Sequence, residues 1–447
     1  MMTEIRSEID DFHTRLETLY NSTLKDTALA GLQAAAWEQF CKVGLPTRKN
    51  EVFRYVKLGQ LYNQVYVEAK PVSLEKEVIE THIYPECKES VLVFVNGHFT
   101  PELSRILALP KKMIVLRLSE AMRTYGSLLT NQIGKSIKEE LDPFALLNLA
   151  LHGEGLFLYL PPKTVCTVPV QILHVVDSRI PNPFVAPRMQ VFAGASTEIE
   201  IFSSHAFLSS LNGFINQRTD ISLEENAHVR YVQANFHESA DQWHFDALRA
   251  TLKKSATLKS IGVTTGSKTV RNDYRATLIG EQSEVSLSGV WMLEERRETH
   301  QHIFIDHQAP NCLSRQLFKG VLNDAGHSSF EGKIMVRQAA QETNAFQLNR
   351  NLLLSDGATA ESKPNLEIFA DSVKASHGAT IGQLEKEELF YMQSRGFPVA
   401  DAKRLLVHGF CQEVLDLIGQ PEVRKQIGTR FYARPEIIKQ ETTVQPI

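Results

Sequence analysis

Apolar and polar positions follow a helical period in the first 150 residues of the chain. Phe12, Leu16 and Leu19 recur at intervals of three and four residues, which predicts an amphipathic helix. A second helix is expected to end near Gly44, and the apolar run Val91–Val95, followed by a turn, predicts a short strand. Residues 1–150 are therefore expected to form a mostly helical region with a few strands.

The pattern changes between residues 151 and 385, where short apolar or alternating runs are separated by Gly, Asn, Asp and Pro. Such runs predict strands in a predominantly β region. Examples are 171–176, 198–202, 229–232, 285–287, 333–336, 352–354 and 366–369. No hexapeptide or glycine–aspartate repeat is present, so periodicity alone leaves a sandwich, a barrel and an irregular β-helix open.

The helical period returns in residues 386–447, which are expected to form a C-terminal helical domain. Leu389 and Phe390 lie in a first helix that Gly396 ends, and Pro398 suits the start of the next helix. Four apolar side chains of this second helix are predicted to share a buried face: Leu406, Phe410, Val414 and Leu417. A docking surface for a partner is the alternative interpretation of that face.

Composition and charge narrow the class of protein. The 447 residues are 43% apolar and 22% charged, with a net charge of −4, which is typical of a globular protein. This balance indicates neither a nucleic-acid partner nor binding to an anionic membrane. The N-terminal residues lack the basic start and apolar run of a secretory signal, and no segment approaches the roughly 20 apolar residues of a membrane-spanning helix. A cytoplasmic location is expected.

The five cysteines are widely separated along the chain and form no CxxC pair. They are Cys41, Cys87, Cys166, Cys312 and Cys411. A sparse, odd-numbered set argues against a disulfide framework. It also argues against a self-contained thiolate site for zinc or an iron–sulfur cluster, because such sites usually use closely spaced cysteines. A cluster on this chain is therefore expected to need ligands from another chain.

The segment 262–269, GVTTGSKT, has a superficial likeness to a phosphate-binding loop. That loop requires four residues between its glycines and a lysine directly after the second glycine. Here three residues separate Gly262 from Gly266, and Ser267 precedes Lys268. We therefore expect no phosphate loop, so that any ATP used with this protein is hydrolysed by another chain.

The densest cluster of candidate metal ligands lies in the segment 299–307. On a strand, His300, His302 and Asp306 share one face, whereas His307 points to the other. Two histidines at this spacing are compatible with a metal-dependent β-fold enzyme. Because spacing fixes no third and fourth ligand, we favour histidines that are hydrogen-bonded to neighbouring strands, and the enzyme stays the alternative.

His377 is the second candidate. At strand period it shares a face with Val373, Ala375, Ala379 and Ile381. A single imidazole on an apolar face is more often a buried core histidine than a ligand. A neutral imidazole nitrogen can nevertheless bind iron, so both interpretations stay open on the residues alone.

Several segments together resemble the SufB/SufD family of iron–sulfur cluster assembly proteins. They are 44–55 (GLPTRKNEVFRY, with Phe53 where a Trp is expected), 320–322, 330–334, 338–345, 351–355, 364–368, 376–382 (SHGATIG), 389–391 and 394–396. The likeness touches most of the chain and is densest from residue 320 to residue 412. The HGAT run beginning at His377 and the lack of a cysteine in segment 349–355 favour the SufD branch over the SufB paralogue.

The resemblance implies an architecture and a set of partners. It implies an irregular right-handed parallel β-helix over residues 151–385, between the N-terminal region and the C-terminal helical domain. It implies a non-catalytic scaffold that pairs with a SufB-like paralogue through edge strands at the end of the β-helix. It also implies that the C-terminal domain docks a SufC-like ABC-type ATPase, with Leu389, Phe390, Arg395 and Phe410 as candidate contacts.

The resemblance also implies a role for His377. A histidine at this position is expected to help form a nascent iron–sulfur cluster at the interface, together with a cysteine of the SufB-like partner. No cofactor is then expected to stay bound to the isolated chain. Ala375 stands where many relatives have a cysteine, so His377 is the local ligand candidate. A homodimeric iron-delivery protein that uses the same edge strands is the remaining alternative.

Overall fold

The computed structural model describes residues 2–23, 28–177, 180–208, 212–236 and 241–433. The α-helices in these ranges are α1 (Met2–Ser22), α2 (Ala30–Val43), α3 (Gly59–Tyr62), α4 (Lys76–Glu80), α5 (Leu118–Glu139), α6 (Pro143–Leu151), α7 (Lys386–Ser394), α8 (Val399–Leu415) and α9 (Pro421–Tyr432).

The strands up to residue 236 are β1 (Val67–Glu68), β2 (Val91–Val95), β3 (His98–Phe99), β4 (Ile114–Arg117), β5 (Leu156–Leu160), β6 (Val170–Val176), β7 (Pro183–Val185), β8 (Arg188–Ala193), β9 (Glu198–Phe207), β10 (Phe214–Leu223) and β11 (His228–Phe236). The later strands are β12 (Trp243–Leu252), β13 (Thr257–Thr265), β14 (Thr269–Leu278), β15 (Glu284–Leu293), β16 (Glu298–His307), β17 (Leu313–Leu322), β18 (His327–Val336), β19 (Thr343–Leu353), β20 (Thr359–Ile368) and β21 (Val373–Gly382).

From β8 onward, successive strands alternate between two sheets in which they pair in parallel, and so form a β-solenoid of about eight turns. Only the N-terminal pairs β2–β3 and β4–β5 are antiparallel among the described strands. Sheet A has the order β20-β18-β16-β14-β12-β10-β8-β5-β4, and sheet B has the order β21-β19-β17-β15-β13-β11-β9-β6-β2-β3. Paired residues of successive turns lie about 29 positions apart, as Asn272 and Gln301 do. The prediction of a mainly β fold with a β-helix core and flanking helices is confirmed.

The interior of the solenoid is a hydrophobic core built from equivalent residues of successive turns. Leu223, Leu252 and Leu278 are register partners on neighbouring strands of sheet A, and all three are buried. Covering layers bury the outer faces of both sheets as well, so many strands are buried on both sides. This explains why these segments appear as apolar runs rather than as strict alternation.

One corner of the solenoid repeats a backbone conformation rather than a residue type. In successive turns a non-glycine residue adopts a left-handed φ between 53° and 60°, and its N–H donates to a carbonyl of the next turn. These residues are Ser196, Asn226, Ser255, Gln282, Asn311 and Glu342. The corner hydrogen bonds join consecutive turns where the strands stop, since the strand ladders cannot do so there.

The N-terminal helices cover the outer face of sheet A. Phe144 of α6 packs edge-to-face against Phe245 of β12, with ring centroids 4.7 Å apart. The Asp142 side chain begins α6 by accepting hydrogen bonds from the N–H groups of Phe144 and Ala145, a typical N-terminal cap. The Asn148 side chain donates to the carbonyls of Pro187 and Asn216, which fixes the helix on the sheet.

Helices α8 and α9 cover the outer face of sheet B. Their buried face carries Val407, Cys411 and Val414, which pack against apolar residues of β11 to β17. The face predicted from the sequence is offset from this one. Of its four members only Val414 is buried, and the prediction is wrong for Leu417, which is 43% exposed and lies beyond the end of α8.

Three further expectations can be compared with the fold. Gly262 to Thr265 end β13, and residues 266–268 form a turn into β14 rather than into a helix, so this segment lacks the strand–loop–helix context of a phosphate loop. All five cysteines are free thiols, and Cys41 alone among them is exposed. None of the helices in the described part of the chain is long and apolar enough to cross a membrane.

Candidate functional site

The last turn of the solenoid is open. Strands β20 and β21 end the strand order of sheet A and sheet B, and no further strand pairs with them among the described residues. In contrast to the preceding strands, most positions of both are half-buried or exposed. Apolar side chains are exposed here too, including Ile368 (41%), Phe369 (60%) and Ile381 (46%). Unpaired backbone groups beside exposed apolar side chains are typical of a strand-pairing surface.

His377 lies at the middle of β21 and is exposed. Its register partner on β19 is Gln347, which is buried and donates to the Gln316 side chain at 2.9 Å. His377 therefore continues an inward-facing column of polar side chains at the point where the solenoid opens to solvent. Ala375 and Val373 are half-buried on the same strand face and contribute no ligand atom. The expectation that a lone imidazole here belongs to a buried core does not hold for this exposed residue.

The four candidate ATPase contacts lie in α7, just after it, or in α8. Leu389 is half-buried in α7, whereas Phe390 beside it is 72% exposed. Arg395 follows α7 and donates to the Tyr391 hydroxyl at 3.2 Å, with its guanidinium 5.2 Å from the centre of that ring. Phe410 lies in α8 and is half-buried. The structure thus places Phe390 and Arg395 on an accessible surface and Phe410 against the solenoid.

Phe410 lines a cleft of about 790 Å³ between the outer face of sheet B and helices α7 and α8. The Lys319 ammonium group lies 4.6 Å from the centre of the Phe410 ring and donates to the Phe410 carbonyl at 2.8 Å. The Arg350 guanidinium lies 5.5 Å from the same ring. Two cations therefore hold this part of α8 on the last turns of sheet B.

In the structure, His300, His302 and Asp306 each have a different hydrogen-bond partner. His300 contacts Ser329, His302 contacts Asp273 at 2.6 Å, and Asp306 accepts from Arg337. Six residues of strand place His300 about 20 Å from Asp306, too far to share one ion. Both histidines contact a residue of a neighbouring strand, as the interpretation favoured from the sequence expects. The face pattern is as predicted, with His307 inside the solenoid bonded to Ser314.

Asp273 and Glu140 are the centres of a buried charge network on the outer face of sheet A. Glu140 accepts hydrogen bonds from Arg249 at 2.8 and 3.0 Å and pairs with Arg218 at 3.0 Å and Arg275 at 3.1 Å. Burial alone would raise the pKa of Glu140, but Arg249, Arg275 and Arg218 hold it well below its usual value. The network joins the end of α5 to three strands of the solenoid.

Neither the charge network nor the partners of His300 stand out in the sequence. Glu140 lies more than 75 residues from the arginines that it binds. Glu298 is on the same strand as His300, but His327 and Ser329 approach His300 only through the register of β16 and β18. Glu298 and His327 are 29 residues apart, the length of one turn of the solenoid. That spacing is the signal from which their contact could have been predicted.

The fold and its open last turn define a β-solenoid protein with an exposed strand edge. Comparisons with known protein families show which family it belongs to. The family model for the SufBD protein N-terminal region matches residues 5–172, and the model for the SUF system FeS cluster assembly SufBD core domain matches residues 176–410. The chain therefore belongs to the SufB/SufD family of iron–sulfur cluster assembly proteins.

Individual relatives match over nearly their whole length. An iron–sulfur cluster assembly SufBD family protein of Synechocystis is 33% identical over 92% of this chain and 93% of its own. The iron–sulfur cluster assembly protein SufD of Escherichia coli is 27% identical over 89% of this chain and 91% of its own. The chloroplastic protein ABCI7 of Arabidopsis thaliana is 34% identical over 90% of this chain and 84% of its own.

Proposed function

We propose that this chain is a non-catalytic scaffold subunit of an iron–sulfur cluster assembly complex. In this proposal it pairs with a SufB-like paralogue through the open end of the solenoid and docks a SufC-like ATPase on α7 and α8. The observation that carries the proposal is the exposed β21 edge with His377 at its middle. A cytoplasmic location is part of the proposal.

The open end supports strand pairing with a partner of the same architecture. A β-solenoid from a paralogue would present matching edges, and pairing two such edges satisfies the backbone groups that β20 and β21 leave unpaired. Exposed Phe369 and Ile381 would be covered in the same step. A second copy of this chain could use the same edges, so the homodimer is the competing outcome for this surface.

The proposed role of His377 is to supply an imidazole ligand to a nascent cluster at that interface. The isolated chain offers no thiolate beside it, since Ala375 is the residue two positions before it. The free cysteines Cys87, Cys166, Cys312 and Cys411 are buried elsewhere, and burial raises the pKa of each of these thiols. Thiolate ligands would therefore come from the partner, and the isolated chain is expected to hold no cluster.

The ATPase is proposed to act through the helices that flank the cleft. Three apolar side chains near the α7–α8 junction are exposed, Phe390 (72%), Phe397 (41%) and Val399 (47%). Lys319 and Arg350 connect α8 to the last turns of sheet B, next to the open end. Movement of the docked ATPase would therefore be passed to the strands near His377 through this contact.

Anaerobic co-purification tests the proposal. The tagged chain is expressed with untagged SufB-like and SufC-like proteins, and the mass of the complex and its ATPase rate are measured. A complex that contains both partners and hydrolyses ATP faster than the SufC-like protein alone is expected. Retention of neither partner, with a stable homodimer of the tagged chain, would instead favour the iron-delivery alternative.

A further inference from the structure

The outer face of sheet A carries a second group of metal-ligating side chains, distant from His377 in the chain. Glu298, His300 and His327 each offer one ligand atom, and these atoms lie within 4.8 Å of one another. The register of β16 and β18 pairs Glu298 with His327, and His300 is two residues further on the same strand face. All three residues are no more than 9% exposed.

We propose that Glu298, His300 and His327 bind one divalent transition-metal ion of the zinc, cobalt or iron(II) class. Two imidazoles and one carboxylate are a donor set that such ions accept in proteins, with the remaining positions left to water or an exchangeable ligand. The His300 Nε2 atom lies 3.3 Å from Glu298 Oε2. Ligand atoms bound at tetrahedral zinc lie about 3.3 Å apart, so this pair already has the required separation.

Each of the three ligands has an outer partner that fixes it. Ser329 Oγ lies 2.7 Å from His300 Nδ1, which leaves Nε2 of that ring towards Glu298. Glu361 lies 2.6 Å from His327 Nε2. The Lys57 ammonium group pairs with Glu298 Oε1, the oxygen that does not face His300. Such second contacts orient metal ligands and raise the basicity of imidazoles.

His327 supplies an independent indication of a ligand site. Its Nδ1 atom is buried without a hydrogen-bond partner among the described residues, while its Nε2 atom is held by Glu361. A buried ring nitrogen that accepts nothing is unfavourable, and a cation beside Glu298 would satisfy it. The charge of the nearby Arg271 is already compensated by Asp142 at 2.7 Å and Asp273 at 3.1 Å.

The site differs from the metal site considered from the sequence. It keeps His300 but replaces His302 and Asp306 with residues from the strand ends, because the parallel register adds His327 to the pair of ligands on β16. Lys57 belongs to the N-terminal region, and its contact with Glu298 places the site where that region meets the solenoid. A bound ion would therefore link β16 to β18 at this junction and so stabilise the fold.

Titration of the full chain with Co²⁺ and Zn²⁺ after chelator treatment tests the proposal. All proteins would carry Cys41→Ser and His377→Ala, so that neither the exposed thiol nor the imidazole proposed as a cluster ligand binds the added ion. The readouts are stoichiometry by calorimetry, the visible spectrum of bound Co²⁺, and the unfolding temperature with and without Zn²⁺. One ion per chain, a spectrum without thiolate bands, and a higher unfolding temperature are expected.

Variants locate the ion. Glu298→Gln, His300→Ala and His327→Ala are each expected to abolish stoichiometric binding, whereas Glu361→Gln should weaken it about 10–100-fold. His302→Ala is the matched control, since it removes a histidine of the same strand that contacts Asp273 instead, and it should bind as the parent does. Unfolding curves measured in the presence of chelator establish that each variant is folded. If an alanine variant does not fold, the near-isosteric Glu298→Gln provides the test of binding instead. Absence of stoichiometric binding in the parent, or its persistence in folded Glu298→Gln, would overturn the proposal.

Discussion

Lys319 donates a hydrogen bond of 2.8 Å to the main-chain carbonyl of Phe410 and lies 4.6 Å from the centre of its ring. The Lys319 side chain is 2% exposed and also pairs with Glu413. One buried cation on β17 thus holds the middle of α8 at three points. The link between the C-terminal helices and the last turns of the solenoid depends on this residue more than on the exposed ion pairs of the same helices.

Replacing Lys319 with methionine should loosen α8 from sheet B. The change removes the partner of the Phe410 carbonyl and of Glu413, at an expected cost of about 1–3 kcal/mol. Hydrogen exchange of α8 amides and the free energy of unfolding are the measurements. Arg424→Ala is the control, because Arg424 pairs with Asp416 at 3.5 Å on the surface and should contribute less than about 1 kcal/mol. Equal effects of the two changes would contradict this role for Lys319.

Replacing Phe390 with alanine should weaken the proposed ATPase docking without lowering stability. The side chain is 72% exposed in the isolated chain, so its loss leaves no cavity. As an apolar anchor in an interface it should raise the dissociation constant for the SufC-like protein at least about tenfold. Leu107→Ala, at a residue 85% exposed in the N-terminal region, should leave the affinity unchanged. Unaltered binding by Phe390→Ala would remove α7 from the docking surface.

Replacing the buried Glu140 should lower the free energy of unfolding more than most substitutions do. Replacing it with alanine leaves Arg218, Arg249 and Arg275 without a buried carboxylate, and breaking such a network costs about 3–5 kcal/mol. Glu139→Ala is the matched neighbour, since Glu139 forms only an exposed pair with Lys135 at 3.8 Å. The midpoint of denaturant unfolding should fall for the first variant and stay nearly constant for the second. Similar midpoints would show that the arginines find other partners.

Stability should depend on pH through a buried histidine. Burial lowers the pKa of His307 to about 4, whereas the unfolded chain has a value near 6.5. The unfolded state therefore binds the proton first, and the contribution of His307 is present above pH 6.5 and lost as the pH falls towards 4. His307→Gln should flatten the decline of the unfolding free energy between pH 6.5 and pH 5.

The comparison with the variant is needed because Asp246 acts in the opposite direction. Burial raises the pKa of this carboxyl to about 6, so the folded state takes up a proton there before the unfolded state does and gains stability as the pH falls. The difference between wild type and His307→Gln cancels that contribution. An identical pH dependence of the two proteins would contradict a neutral, buried His307.

The sequence predicts the kinds of elements well and their arrangement less well. Apolar runs such as 171–176 identify strands because burial on both faces leaves a continuous signal, and Gly44 marks the end of α2 as expected. The repeat of the solenoid is not visible as a motif, since its corners share a backbone conformation that Ser, Asn, Gln and Glu all adopt. The architecture therefore follows from resemblance and not from periodicity.

The candidate sites show the same division. The strand face on which His377 lies follows from the strand period, which can be read from the sequence. Its exposure follows from the position of β21 at the end of the sheet, which cannot be read from the sequence. The buried face of α8 is displaced from the predicted one because sheet B contacts Val407 and Cys411 rather than Leu406. The pairing of Glu298 with His327 needs the register between turns, which no local pattern supplies.

The most direct test of the scaffold account is the iron and acid-labile sulfide content of the anaerobically purified complex with SufB-like and SufC-like partners. Wild type is compared with His377→Ala and with Ser376→Ala, an exposed neighbour on the opposite face of β21. All three are expected to assemble into complexes of equal mass, and His377→Ala alone should carry much less iron and sulfide. Equal iron and sulfide in all three complexes would contradict a cluster site at the open end of the solenoid.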